Sequence, residues 1–533
     1  MPQTPNTSVM THRNAHAFPK AIHLGASAAT RPRGVSDIWT LSVIMLVVTI
    51  VATSLGSPVR AQSTAGAPPT PTCRQTVDSL DSRIRQNYAG FLLEVFGARR
   101  SAYESLLRRV RKDADRRAFE VCFPALDKIT TWFDDPHLFV FQSATTDSAD
   151  AEHRRASVQR LTVSESGVRT ELASRRKRPD PIEGIWYDGA TRLAVVPAPS
   201  GSPHEFVAVL LASDTIGWQA GDVRAHMRRT RDGEYATTLI TRAFAEQQLT
   251  ARLHRRVLLR FSPGMWGKAF PVVAADSGTL DSVDAHRPRV VVRPRSVLVS
   301  IPSHDPRFAT LLDQQIKAAA DAIRARKLLI VDLRGNEGGA SFTTRALDPY
   351  VNSADTRVTP YDSGVPVAMS SPAQMNAARR MAGNDTSAFV RGLVARMQAN
   401  PGKLVVLDTS QAASARAPVL PGDWHVVVMV DRGTVSAAEV LVLRALRSTR
   451  ATVVGDRTAG ALDYQSVQII SLGTGNRRWA LGYPTITAHA DLPRRGMRGK
   501  GIPPTVRVNW DTLDDPIAEM ERRFAPPRTA PPR

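Results

Sequence analysis

Two short stretches combine residue types that could do chemistry. In Gly433-Thr434-Val435-Ser436-Ala437-Ala438-Glu439 a serine follows an apolar run and a tight turn. Val426 to Val430 reads as a buried strand and Asp431-Arg432-Gly433-Thr434 as the turn. The residues up to Val440, Leu441, Leu443 and Leu446 read as a buried helix. Ser436 then falls in the first helical turn, beside free amides and the positive end of the helix dipole, where an oxyanion is stabilised. The same Ser436 and Glu439 have the S-x-x-E spacing of a capping box, so a plain helix cap competes for this serine. The G-x-S-x-G elbow is excluded, because Thr434 and Ala438 occupy its glycine positions. The second stretch is Asp332-Leu333-Arg334-Gly335-Asn336-Glu337-Gly338-Gly339. Its glycines let backbone amides approach a ligand closely. A phosphate-binding or plain tight turn is the alternative, although Asn336 breaks the G-x-G-x-x-G spacing.

These turns need elements to hold them. Ser296–Ile301 reads as a strand, the positions Leu311, Leu312, Ile316, Ala319 and Ile323 as a helix, and Leu328–Val331 as a second strand, a β-α-β rhythm. Residues 355–420 read as a long excursion, Thr452–Val454 as a strand, and Trp479 to Val508 as short closing strands. Upstream, Val77, Leu80, Ile84 and Tyr88, then Tyr103, Leu106, Leu107 and Val110, then Leu126, Ile129 and Phe133 have helical spacing. They predict a helical bundle ending in Phe133-Asp134-Asp135-Pro136-His137-Leu138. Residues 144–180 are polar and basic and read as exposed loop. From Ile182 to about Phe270 the pattern is β-like, with Leu193–Val196, Phe206–Leu211 and Leu253–Phe261 as candidate strands around Trp186, Trp218 and Trp266. A small antiparallel barrel or sandwich is expected there.

The 533 residues suggest roughly two to four domains. The divisions read from the chain are 1–61, 62–143, 144–284, 285–512 and a Pro/Arg-rich tail at 513–533. Net charge is +21, yet the basic residues are scattered and aromatics are only 6%. Nucleic-acid binding is therefore not expected, and the charge reads mainly as solvated surface. Lys20, Arg31 and Arg33 precede an apolar run over 38–55, followed by Val59-Arg60-Ala61. This reads as a signal peptide cleaved after Ala61, or as an uncleaved membrane anchor, and predicts export to the periplasm or beyond. The two cysteines, Cys73 and Cys122, are expected to pair there. No metal-ligand spacing is present, and no cofactor is expected.

Together the two turns resemble those of the tail-specific, or C-terminal processing, serine peptidases, the superfamily of the tricorn core and the interphotoreceptor retinoid-binding modules. Two later motifs extend the resemblance: Val454-Gly455-Asp456-Arg457-Thr458-Ala459-Gly460 and Gly499-Lys500-Gly501-Ile502-Pro503-Pro504. It covers about 290–508, with a weaker likeness over the helical segment, and leaves 182–270 unassigned. It implies an α/β crotonase-like (ClpP/crotonase) catalytic domain with an N-terminal helical bundle and an intervening all-β domain. It further implies Ser436 as nucleophile, with amides of Ala437 and of Gly338 or Gly339 as oxyanion hole. One branch uses a lysine at the position of Ala461, which excludes a Ser-Lys dyad of that type; Gln465 matches that branch's accessory glutamine. The other branch uses a histidine, matched by His137, with His304 and His489 as competitors. That branch's orienting glutamate matches Arg498, and Thr505 stands where the family has an aspartate. An orienting carboxylate would have to come from Asp134, Asp135 or Asp491. The resemblance implies an exported serine endopeptidase acting on polypeptides. The alternative is a weakly active or inactive ligand- or peptide-binding protein on the same fold.

Overall fold

The computed structural model describes residues 71–527, except 143–147, 176–178, 214, 243, 262–263, 362–363, 385–387, 408–417, 473–478, 493 and 495. The expected signal or anchor segment 1–61, with its apolar run 38–55, and the chain from 528 onward lie outside the described residues. All described residues belong to one compact unit. Among the described residues no helix is long and apolar enough to cross a membrane.

A six-stranded sheet carries both motif turns. Its order is Arg289–Val292, Val297–Ser300, Leu328–Asp332, His425–Val430, Ala451–Gly455 and Val506–Arg507; the first pair is antiparallel and the rest parallel. The central strands are near-continuous runs of Val, Ile and Leu because both faces are covered. One face packs on helices Ala309–Ala318 and Ala437–Arg447 through Ile316, Val428, Val440 and Leu441. The other packs on helix Pro516–Phe524 through Ile517 and Met520. Each such side chain contributes about 1.5–3 kcal/mol on burial. The register sets Asp332 opposite Met429, so the turns after the two strands leave the same sheet edge together.

A five-stranded antiparallel sheet joins parts of the chain that are distant in sequence. Strand Trp479–Thr487 pairs with Phe139–Gln142 and Val367–Met369 along one edge and with Tyr464–Ser471 along the other. The first of these partners follows the helices Cys73–Asn87, Ala89–Glu94, Gly97–Ala114 and Phe123–Thr131. Their core is continuous with Tyr464, Trp479, Leu481 and Tyr483. The N-terminal helices and the downstream chain therefore share one core, and a disulfide joins Cys73 to Cys122 within it.

The segment 184–270 forms a closed eight-stranded barrel, filled by Trp186, Phe206, Trp218, Tyr235 and Trp266 among others. Three readings of the sequence change. The single strand expected over Leu253–Phe261 is two strands, Glu246–His254 and Leu258–Phe261, because Arg255 and Arg256 adopt positive φ of 52° and 59° and turn the chain back. Helices Ser148–Ala156 and Glu165–Ser174 occupy part of the expected loop 144–180; Ser164 caps the second by accepting from the Gly167 amide. Helix Pro516–Phe524 lies in the stretch set apart as tail, and its apolar face is core.

Candidate active site

Ser436 follows strand His425–Val430 and precedes helix Ala437–Arg447. Its backbone has φ 55° and ψ −116°, a conformation that costs a non-glycine residue roughly 1–3 kcal/mol and persists only where surroundings enforce it. Glu439 enforces it. Its buried carboxylate accepts from the Ser436 amide at 2.8 Å, the Ala461 amide at 2.9 Å, the Gly460 amide at 2.7 Å and the Thr458 hydroxyl at 2.6 Å. Burial pushes the Glu439 carboxyl upward against these donors, which favour the ionised form. Glu439 thus ties the third motif to the serine turn. The fourth motif joins there, because Thr458 Oγ1 accepts from the Ile502 amide at 2.9 Å. Ala461 contributes only its amide.

The Ser436 hydroxyl lies 3.1 Å from His137 Nε2, and His137 Nδ1 lies 2.7 Å from the Tyr464 carbonyl oxygen. A carbonyl can only accept, so Nδ1 carries the proton and Nε2 presents a lone pair to the hydroxyl. Burial lowers the His137 pKa below its ordinary 6.5, against the Tyr464 carbonyl and the Glu439 charge, which favour the cation. Asp135 does not orient the ring. Its Oδ1 accepts from the His137 backbone amide at 2.9 Å, and its Oδ2 from the Tyr88 hydroxyl at 2.9 Å. Burial raises the Asp135 carboxyl to about 7.

His304 is not bonded to the serine. It is fully buried, its Nδ1 donates to Asn336 Oδ1 at 3.1 Å, and burial lowers its pKa to about 4. His489 lies 3.9 Å from Asp491, and Asp134 is exposed in a turn of positive φ. Gln465 is buried and its Nε2 donates to the Leu462 carbonyl at 2.8 Å, so it bonds neither Ser436 nor His137.

Asn336 shapes the glycine turn. Its side chain donates to the Ile301 carbonyl at 2.7 Å and accepts from the Gly338 amide at 2.8 Å; its own carbonyl accepts from the Val435 amide at 2.9 Å. The two turns are thereby brought into contact. A Cβ on Gly338, whose φ is 90°, would lie 2.8 Å from Ser436 Cβ and 3.0 Å from the Ala437 nitrogen. No other residue fits there. The three oxyanion candidates divide accordingly. The Gly338 amide is already bonded to Asn336. Among the described residues, no acceptor takes the amides of Gly339 or Ala437.

Several contributors are absent from the motifs. Glu94, at the end of helix Ala89–Glu94, is buried and accepts from the Tyr464 hydroxyl and from both ends of the Arg498 guanidinium at 3.0 and 3.1 Å. Burial alone would lower the Arg498 pKa; the bonds to Glu94 outweigh it and raise it above its ordinary value. The barrel also reaches the site. Arg255 donates to the carbonyls of Arg334 and Asp332 and to Ser300 Oγ, and Arg260 to the carbonyls of Gly335 and Pro302, all at 2.7–3.0 Å. His254 Nδ1 lies 2.9 Å from Asp431 Oδ2, and Asp431 Oδ1 accepts from the Gly335 and Gly433 amides. Burial alone would raise the Asp431 carboxyl; the His254 ring and these donors hold it at about 2. The signal available in the sequence was the arginine at 498, whose inverted charge calls for a buried carboxylate elsewhere.

Residues 298–508 match the model of peptidase family S41. This segment belongs to that family. The S41 domain makes the chain a serine-type peptidase. No curated protein matches the chain in sequence. Among solved structures it is similar to a lipoprotein from Streptococcus agalactiae (10% identity, 86% of this chain and 97% of that one, TM-score 0.35). It is also similar to the photosystem II D1 C-terminal processing protease (13% identity, 85% and 98%, TM-score 0.34). A third is mature CPAF in complex with lactacystin (10% identity, 82% and 94%, TM-score 0.39). At TM-scores this low the likenesses carry no argument about this chain. The four motifs of the S41 domain all converge on Ser436, whereas the histidine beside it lies outside 298–508.

Proposed function

We propose that the chain is an exported serine endopeptidase that hydrolyses polypeptides through an acyl-enzyme on Ser436, with His137 as general base. The observation that carries this reading is the 3.1 Å approach of Ser436 Oγ to a ring nitrogen whose partner nitrogen faces a carbonyl. In the tautomer this requires, Nε2 takes the hydroxyl proton as Oγ attacks the substrate carbonyl. The oxyanion that forms is received by the amides of Ala437 and Gly339, at the positive end of helix Ala437–Arg447. Loss of one such donor costs about 3 kcal/mol of barrier. The protonated Nε2 then returns its proton to the departing amine, and water, activated by the same nitrogen, hydrolyses the ester. The Tyr464 carbonyl does what a triad carboxylate does in orienting the ring. It carries only a partial charge, so it stabilises the imidazolium less.

The reading includes a crotonase-like catalytic domain, supported by the parallel strand order and the β-α-β connection between its second and third strands. Export is supported by the apolar run 38–55 ahead of Ala61 and by the disulfide, which persists in oxidising compartments. By analogy with the family, substrates with an unstructured C-terminus fit an enzyme of this kind.

A fluorophosphonate probe tests the site. The parent protein should label, Ser436→Ala should not, and His137→Ala should label at least about 100-fold more slowly, while His304→Ala retains labelling if it folds. Absence of labelling in a folded parent protein, or full labelling of His137→Ala, would sink the proposed mechanism. N-terminal sequencing of the protein recovered outside the cytoplasm tests cleavage after Ala61.

A further inference from the structure

We propose that Glu94 and Arg498 are positioning residues for the active-site histidine, acting through Tyr464. The inference rests on His137 being the base for Ser436. The carboxylate expected at position 498 is then not lost but moved to position 94, one residue further from the ring.

Tyr464 is fixed at several points. Its hydroxyl donates to Glu94, its ring lies 5.9 Å below the Arg498 guanidinium, and the carboxylate of the preceding Asp463 accepts from the amides of Met497 and Arg498 at 2.7 and 3.1 Å. Tyr464 also starts the strand Tyr464–Ser471, paired with Thr487. With hydroxyl, ring and preceding residue held, the Tyr464 carbonyl has one direction to point, and it accepts from His137 Nδ1. The second arm is parallel. The Tyr88 ring packs 5.4 Å from Tyr464, and its hydroxyl donates to Asp135, whose other oxygen holds the His137 amide. The histidine is therefore held at its backbone and at its ring by two arms that meet at the Tyr88–Tyr464 contact.

The charges explain why position 498 is an arginine here. Glu94 is 1% exposed, and a carboxylate that deep persists as an anion only when paired and hydrogen-bonded. Arg498 supplies a two-point partner, and the half-exposed Arg99 adds a third contact at 3.1 Å. A glutamate at 498 would set two carboxylates together with nothing between them. Arginine at 498 and glutamate at 94 therefore act as one unit, reaching across from the S41 domain to the N-terminal helices.

Tyr464→Phe is the sharpest test, because it removes only the hydroxyl and leaves the ring and the carbonyl. Glu94→Gln keeps an acceptor for Tyr464 but leaves Arg498 uncompensated. The purified full chain is reacted with a fluorophosphonate across pH, and the His137 ring nitrogens are followed by 15N NMR. Tyr464→Phe and Glu94→Gln should slow labelling about 10- to 100-fold and move His137 from the Nδ1–H form toward a mixture of tautomers. Arg498→Lys should recover part of what Arg498→Met loses. Wild-type labelling rate and an unchanged His137 spectrum in Tyr464→Phe would overturn the inference. Failure of His137 as base is distinguishable: His137→Ala would then label as fast as the parent. In that case the tautomer, recorded in Ser436→Ala with and without Tyr464→Phe, still decides whether Tyr464 positions the ring.

Discussion

Ser436 shows how one residue can satisfy two readings. Its S-x-x-E partner Glu439 does return to the Ser436 amide, as a capping box requires, yet the serine hydroxyl is bonded to His137. The cap holds the strained backbone, and the strain aims the side chain. The electrostatics of the pair yield a pH prediction. His137 must be neutral to accept a proton, and burial lowers its pKa. The acid limb of kcat/KM should therefore fall with an apparent pKa below 6.5, the ordinary value for the side chain. A limb centred above 6.5 would mean that the environment favours the cation and that the burial argument is wrong.

The barrel hairpin matters at the scale of elements. The turns after the strands Val297–Ser300 and Leu328–Asp332 carry the carbonyls of Pro302, Arg334 and Gly335, to which Arg255 and Arg260 of the barrel donate; Arg255 also donates to the Asp332 carbonyl, which accepts from the Ile301 amide as well. Arg255 also lies 3.4 Å from Asp332, itself buried and bonded to Arg334. The turn that carries Asn336, Gly338 and Gly339 is thus built on barrel side chains. Arg255→Ala should destabilise the protein by roughly 3 kcal/mol, as removal of one partner from a buried ion pair does. Chemical denaturation of the variant measures this, and the fluorophosphonate reaction should slow with it. An unchanged midpoint would show that the strand-end carbonyls find other donors. The hairpin was not legible in the sequence, because Leu253–Phe261 has the apolar content of one strand and only the positive φ of Arg255 and Arg256 divides it.

For the whole molecule, the proposed base His137 and the proposed nucleophile Ser436 are separated by 299 in sequence. Phe139–Gln142 pairs with Trp479–Thr487, and this pairing carries the segment with His137 to the serine. The Cys73–Cys122 disulfide closes the helices that supply this segment across a sequence separation of 49. In the chain-entropy view it stabilises the fold by about 4 kcal/mol. Cys73→Ser combined with Cys122→Ser should lower the unfolding free energy by about that amount, and labelling of Ser436 should be lost at the lower denaturant concentration. Equal midpoints for both proteins would remove the disulfide from this account. The positive charge also reads differently in three dimensions. Arg255, Arg260, Arg334 and Arg498 are not solvated surface but donors to buried carbonyls and carboxylates.

The sequence alone determined the local surroundings of Ser436. Strand, turn, Ser436, Glu439 and the glycine turn are each local, and each motif states its own backbone geometry through residue types such as glycine and asparagine. His137 was legible only through its resemblance to a family position, since nothing in D-D-P-H-L says what the ring touches. What orients that ring was decided by tertiary structure alone. A backbone carbonyl has no side-chain signature. The Glu94–Arg498 pair behind it joins residues on two elements that only the shared core of the N-terminal helices and the second sheet brings together.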